Sequence, residues 1–195
     1  MRLFFAVELD GAVRRAAARL AADLSLALGA DGGARVSWVR PDNMHLTLRF
    51  LGETPEPRVP GLIEAFAAPL ATPAFELRFA GVGTFPPRGP ARVIWLGITE
   101  GHEALAGVHA EVEGRLAALG FDREERPFRA HLTLGRVRDR LGPRAATIIG
   151  GTAATGLPVS AAREVTLFES RLSPRGATYT ALCRTGLGPV REDGR

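Results

Sequence analysis

One tetrapeptide occurs twice in the chain, as His45-Leu46-Thr47-Leu48 and as His131-Leu132-Thr133-Leu134. Each copy sits in a short run with the character of a β-strand. Side chains at i and i+2 of a strand project to one side of the sheet, and those between them project to the other. Each copy therefore requires a buried surface beneath its two leucines and an open surface above its histidine and threonine. Two copies facing one another would line a single groove with two imidazoles and two hydroxyls.

The order of elements around the two copies is similar, as in a duplicated chain. In the first half the pattern predicts strands over residues 2–9, 35–39, 45–51 and 75–83. Helices are expected over 11–28, with Val13, Ala17, Leu20, Leu24 and Leu28 inward, and over 57–68, with Val59, Leu62, Ile63 and Phe66 inward. In the second half strands are expected over 92–98, 129–137, 164–172 and 178–185. A helix is expected over 102–119, with Leu105, Val108, Val112, Leu116 and Leu119 buried, and the Ala- and Gly-rich stretch 141–156 carries no clear period. Both halves close in a similar turn, Pro87-Arg88-Gly89-Pro90 and Pro174-Arg175-Gly176-Ala177. The expected fold is α+β and bilobal: two antiparallel sheets face a central groove and carry helices on their outer faces. Residues 1–187 form this one domain, with pseudo-repeats over about 1–90 and 91–187, and 188–195 form a flexible tail.

Composition excludes several chemistries. All 25 Lys and Arg residues are arginine, which removes lysine nucleophiles, covalent nucleotidyl transfer from ATP, and a phosphate loop built on lysine. Cys183 is the single cysteine, so the chain has no internal disulfide or multi-cysteine metal site. The opening apolar run is short and is interrupted by Glu8 and Asp10; it is expected to be the first strand rather than an export signal. These features fit a cytoplasmic protein, and nothing in the pattern demands a dimer. His102 and His109 fall at the edge of a helical apolar face, and no His-Glu-x-x-His motif or acidic cluster adjoins the twin motifs. No metal and no cofactor are expected.

The chain resembles the 2H phosphoesterases, named for two His-x-Thr/Ser-x motifs. Within them it is similar to the RNA 2′,3′-cyclic phosphodiesterases, also called 2′-5′ RNA ligases. The residues that carry the resemblance are Arg2-Leu3-Phe4-Phe5-Ala6-Val7, Asn43 through Glu53, Gly83-Thr84-Phe85-Pro86, Arg92 through Gly97, and Arg126-Pro127-Phe128 before His131. One position departs: the family pattern usually has Pro directly before the second histidine, where this chain has Ala130.

Histidine suits both halves of acid–base chemistry because its ordinary pKa lies near neutrality. In-line displacement at phosphorus puts nucleophile and leaving group on opposite sides, as two imidazoles across a groove require. Thr47 and Thr133 are placed to donate to the non-bridging oxygens. The resemblance implies ring opening at the 3′ oxygen to leave a 2′-phosphate; His45 is taken as the acid and His131 as the base, an assignment that the sequence leaves open to exchange. The reverse reaction would join a 5′-hydroxyl to a cyclic end without ATP. Arg136 is a candidate phosphate contact by resemblance, and Arg49 by strand parity with His45 and Thr47. Phe5 is the candidate platform for the terminal base; Trp38, Phe85 and Trp95 are core or groove wall. The expected partner is RNA with a 2′,3′-cyclic phosphate end, such as a tRNA fragment, or a cyclic nucleotide, with no membrane. The rival readings are a phosphodiesterase acting on another cyclic phosphate or on a 2′-5′ oligonucleotide, and a non-catalytic RNA-binding module.

Overall fold

The computed structural model describes residues 1–29, 35–174 and 176–189. In chain order the first half supplies β1 (Arg2–Glu8), α1 (Gly11–Gly29), β2 (Val36–Trp38), β3 (His45–Glu53), α2 (Val59–Ala65) and β4 (Phe75–Phe85). The second half supplies β5 (Val93–Glu100), α3 (His102–Ala118), β6 (Leu132–Val137), α4 (Pro143–Gly151), β7 (Ser160–Ala162), β8 (Glu164–Ser173) and β9 (Gly176–Gly186).

The strands form two antiparallel sheets, one in the order β3-β1-β8-β9 and the other in the order β2-β6-β5-β4-β7. The sheets do not follow the two halves of the sequence. β1 and β3 are completed by β8 and β9 from the end of the chain, while β5, β6 and β7 are completed by β2 and β4 from its beginning. Each motif thus lies in a sheet assembled from both halves.

One extended core underlies both sheets. Leu3, Phe5 and Val7 of β1, Leu46 and Leu48 of β3, and Leu132 and Leu134 of β6 share it with Val13, Leu24 and Leu28 of α1 and Leu105, Val108, Val112 and Leu116 of α3. Burial of each such side chain contributes roughly 1.5–3 kcal/mol. A smaller cluster of Phe4, Ala6 and Phe168 covers the opposite face of β1. β1 is therefore apolar on both faces, which explains its unbroken Leu-Phe-Phe-Ala-Val run.

Several expectations change. α2 spans only seven residues and leaves Ile63 37% exposed, while Leu62 and Phe66 are buried. The stretch expected to lack a period contains α4, which buries Ile149 and packs against α1 and β4. The second histidine stands just before its strand rather than within it, since β6 begins at Leu132. Gly188, expected to start a tail, accepts a hydrogen bond from Ala74 and donates one to Thr72. Arg175 of the second turn and residues 190–195 of the expected tail lie outside the described residues. Among the described residues no helix is long and apolar enough to cross a membrane.

β4 and β5 approach closely where Gly83 stands opposite Trp95. A Cβ at Gly83 would overlap the indole ring, and Trp95 in turn stands opposite Thr133 of the second motif. Gly83→Ala is expected to lower stability by about 1–3 kcal/mol through overpacking, read as a lower urea midpoint with an unchanged slope.

Candidate active site

Cross-strand partners in an antiparallel pair share a face of the sheet. Glu8 pairs with His45 and Ala6 with Thr47, so both motif side chains lie on the face of β1 that carries Phe4 and Ala6. The next pair is Phe5 with Arg49, not Phe5 with Leu48. Leu48 is an extra residue in β3, and such a bulge resets the alternation. Arg49 consequently shares the side of the buried Phe5, and Phe50 turns to the groove beside Phe4, at a ring separation of 5.6 Å.

The second motif does the same. Thr133 pairs with Trp95 and Gly135 with Ile94, which leaves Leu134 as the extra residue in β6. Gly135 lies on the side of the buried Ile94, and a Cβ there would come 2.7 Å from Val36 Cγ1. Arg136 pairs with Val93 and so returns to the face of Thr133. The fifth residue after each histidine, Phe50 or Arg136, is thereby delivered to the groove.

The groove has two adjoining lobes, each about 600 Å³ in volume. His45, Thr133 and Arg136 line one lobe, and His131, Phe85 and Phe128 line the other; Thr47 and Phe50 line both. All four motif side chains therefore border one continuous opening, with Arg136 beside three of them.

Both imidazoles are held in similar ways. His131 Nδ1 lies 2.7 Å from the Arg129 carbonyl oxygen, and His45 makes a backbone hydrogen bond with Asn43. In each case the carbonyl two residues upstream fixes the ring. With Nδ1 of His131 donating to that carbonyl, Nε2 is left for chemistry. The loop before His45 is itself secured, because the Asn43 amide donates to the Ala177 carbonyl at 2.8 Å. His45 packs among Phe4 at 4.9 Å and Tyr179 at 5.3 Å between ring centres. His131 meets Phe85 edge-on at 5.0 Å.

Burial pushes the His45 imidazole down to about 4; the Asn43 bond and the Glu8 carboxylate oppose this, and the Arg136 charge adds to it. Burial also lowers His131, against its bond to Arg129 and with the Arg136 charge. Both shifts favour the neutral ring at pH 7.

Two expected contacts are corrected. Phe5 is fully buried and packs on Phe66 at 4.3 Å between ring centres, so it is a core residue. Its neighbour Phe4 faces the groove. Arg49 is tied down on the far face: its Nε lies 2.7 Å from Glu113 Oε1 and its Nη1 3.2 Å from Glu124 Oε2. It clamps β3 to α3 and the segment after it, and from there it lines the lobe of His131 with Thr47 while staying out of the lobe of His45. His109 stacks on Phe128 at 4.3 Å, nearly parallel, and so steadies the segment before His131. Tyr179 and Glu8 are site neighbours that the sequence did not single out. No local signal marks them, because they reach His45 only through sheet pairing. Among the described residues no three His, Cys, Asp or Glu side chains gather in a cluster that could hold a metal.

The LigT-like phosphoesterase family matches the chain twice, over residues 7–95 and 96–179. The RNA 2′,3′-cyclic phosphodiesterase of Archaeoglobus fulgidus is 36% identical over 182 residues, covering 93% of this chain and 98% of the relative. That of Thermus thermophilus is 35% identical over 191 residues, covering 93% of this chain and 88% of the relative. Among solved structures, E. coli LigT complexed with 3′-AMP superposes with a TM-score of 0.75 at 27% identity, covering 95% of this chain and 97% of that one.

A histidine whose folded pKa is depressed destabilises the fold as the pH drops, because the unfolded chain takes up the proton first. For His45 the window runs from 6.5 down to about 4. Across it, stability is expected to fall by up to about 1.4 kcal/mol per pH unit from this residue. Denaturant titrations at several pH values should record that slope, and His45→Gln should flatten it.

Proposed function

Because the chain belongs to the LigT-like phosphoesterase family, we propose that it opens RNA 2′,3′-cyclic phosphate ends by acid–base catalysis between His45 and His131. The observation that supports this most directly is the convergence of His45, Thr47, Thr133 and Arg136 on one lobe that joins the lobe of His131 through Thr47 and Phe50.

The substrate is a strained diester with one negative charge. His131 takes a proton from water, whose oxygen attacks phosphorus. The bond from phosphorus to the 3′ oxygen breaks, and His45 protonates that oxygen. The product keeps the phosphate on the 2′ oxygen. Thr47 and Thr133 donate to the non-bridging oxygens, where charge accumulates. The resting site holds the base in its working form, since a neutral imidazole accepts a proton directly. The acid must be charged first. A bound phosphate offsets the Arg136 guanidinium, which otherwise opposes a cation on either ring. Glu8, already in register with His45, favours the proton there. The same groups run backward would join a 5′-hydroxyl to the cyclic end with no ATP.

RNA ending in a 2′,3′-cyclic phosphate is the substrate to test, with and without EDTA. The expected product by phosphorus NMR is the 2′-phosphate, formed at the same rate in both; a 3′-phosphate or loss of turnover in EDTA would overturn the mechanism. His45→Ala and His131→Ala should each lower kcat by about 10²–10⁴. Thr47→Val and Thr133→Val should each cost about a hundredfold. A substrate with sulfur in place of the 3′ oxygen leaves without a proton and should restore His45→Ala but not His131→Ala. The opposite rescue would exchange the two roles. RNA binding without turnover by the unaltered protein would favour a binding module instead.

A further inference from the structure

The two lobes of the groove differ in charge. The lobe of His131 is walled by Phe50, Phe85 and Phe128, and two of its three arginines are paired with carboxylates: Arg49 with Glu113 and Glu124, and Arg126 with Glu124, which leaves Arg129. The lobe of His45 is lined by Arg2, Arg136 and Arg138. Among the described residues none of these three has a carboxylate within ion-pair distance. Burying or crowding unpaired cations is unfavourable, so a run of three in one concavity is what an anionic ligand would offset.

The arrangement is ordered. Arg136 stands beside Thr133, as the alternation after the Leu134 bulge requires. Arg138 lies two residues further, about 7 Å along an extended chain, on the same face. Its Nε donates to Ser37 Oγ at 2.8 Å, which fixes the guanidinium and leaves both terminal nitrogens without a protein acceptor among the described residues. Arg2 comes from the other sheet, on the face of β1 that carries Phe4. The cations thus continue away from the phosphate position instead of clustering on it. A single cyclic phosphate has one charge and can occupy the place beside Arg136. It offers nothing to Arg2 and Arg138.

We propose that Arg2 and Arg138 receive the phosphodiester adjoining the cyclic end, so that the enzyme selects an oligonucleotide end over a free cyclic mononucleotide. Arginine matches this task because its planar fork pairs bidentately with phosphate. The proposal rests on the cyclic phosphodiesterase reading and adds the part of the substrate that the reacting groups do not touch.

The test compares kcat/KM for a nucleoside 2′,3′-cyclic phosphate and for a trinucleotide with the same terminal base and a cyclic end, at low and moderate salt. The unaltered enzyme should favour the trinucleotide, and that preference should shrink as salt rises. Arg2→Ala and Arg138→Ala should each raise KM for the trinucleotide about tenfold more than for the mononucleotide. Arg138→Lys should keep part of the preference. Equal kcat/KM for the two substrates in the unaltered enzyme would overturn the arginine track while leaving the catalytic reading intact. Losses of the same size on both substrates in the variants would also overturn it. An unaltered enzyme that opens neither substrate would overturn the catalytic reading, and this one with it.

Discussion

Pairing of β1 with β3 absorbs unpaired residues at Leu48 and Leu51, and pairing of β5 with β6 absorbs one at Leu134. The strand period of two admits no intermediate: one extra residue exchanges the faces of everything beyond it. Up to the bulge, each motif presents histidine and threonine to the groove and leucine to the core. Beyond it, a strict alternation would send Arg49 and Gly135 to the groove and Phe50 and Arg136 inside. The bulges do the reverse. They place an aromatic wall and a guanidinium over the reacting groups, and they leave Gly135 where a side chain would strike Val36 and Arg49 where two carboxylates receive it. Leu48 and Leu134 are buried, which fixes the insertion in place.

The electrostatics of the site depend on that placement. Arg136 reaches the groove and disfavours a cation on His45 and on His131. Burial among Phe4, Phe168 and Tyr179 acts in the same direction on His45. The groove is therefore cationic and disfavours the charged form of both rings. In the proposed reaction, substrate charge and the protonation of the rings are coupled through Arg136.

Much of this was legible in the sequence, because the signals were local. The repeated tetrapeptide and the apolar periods of α1 and α3 pointed to the fold class and to two motifs that line the groove. What was missed depends on non-local pairing. The choice of Phe5 over Phe4 failed because β1 is apolar on both faces, so alternation could not show which side meets the groove. Arg49 lines the lobe of His131, but the Leu48 bulge takes it off the face of His45 and two carboxylates hold it, and nothing in the run Leu-Thr-Leu-Arg-Phe announces a bulge. Ile63 was placed inward by a helix longer than the seven residues that form. The partnership of β1 with β8 was not legible because it joins residues more than a hundred and fifty positions apart, as the register Phe4 with Phe168 shows.

That exchange of strands between halves has a consequence for the chain as it is made. β1 lies between β3 and β8, and β9 closes the edge beyond. The strand that carries His45 can pair with β1 early, but their sheet lacks half its strands until residues near 186 emerge. A growing chain that has completed its first motif therefore holds a two-stranded ribbon with one open edge, which is marginal on its own. The sheet that bears the first histidine is thus the earlier to begin and the later to be finished, after the sheet of the second has all its strands.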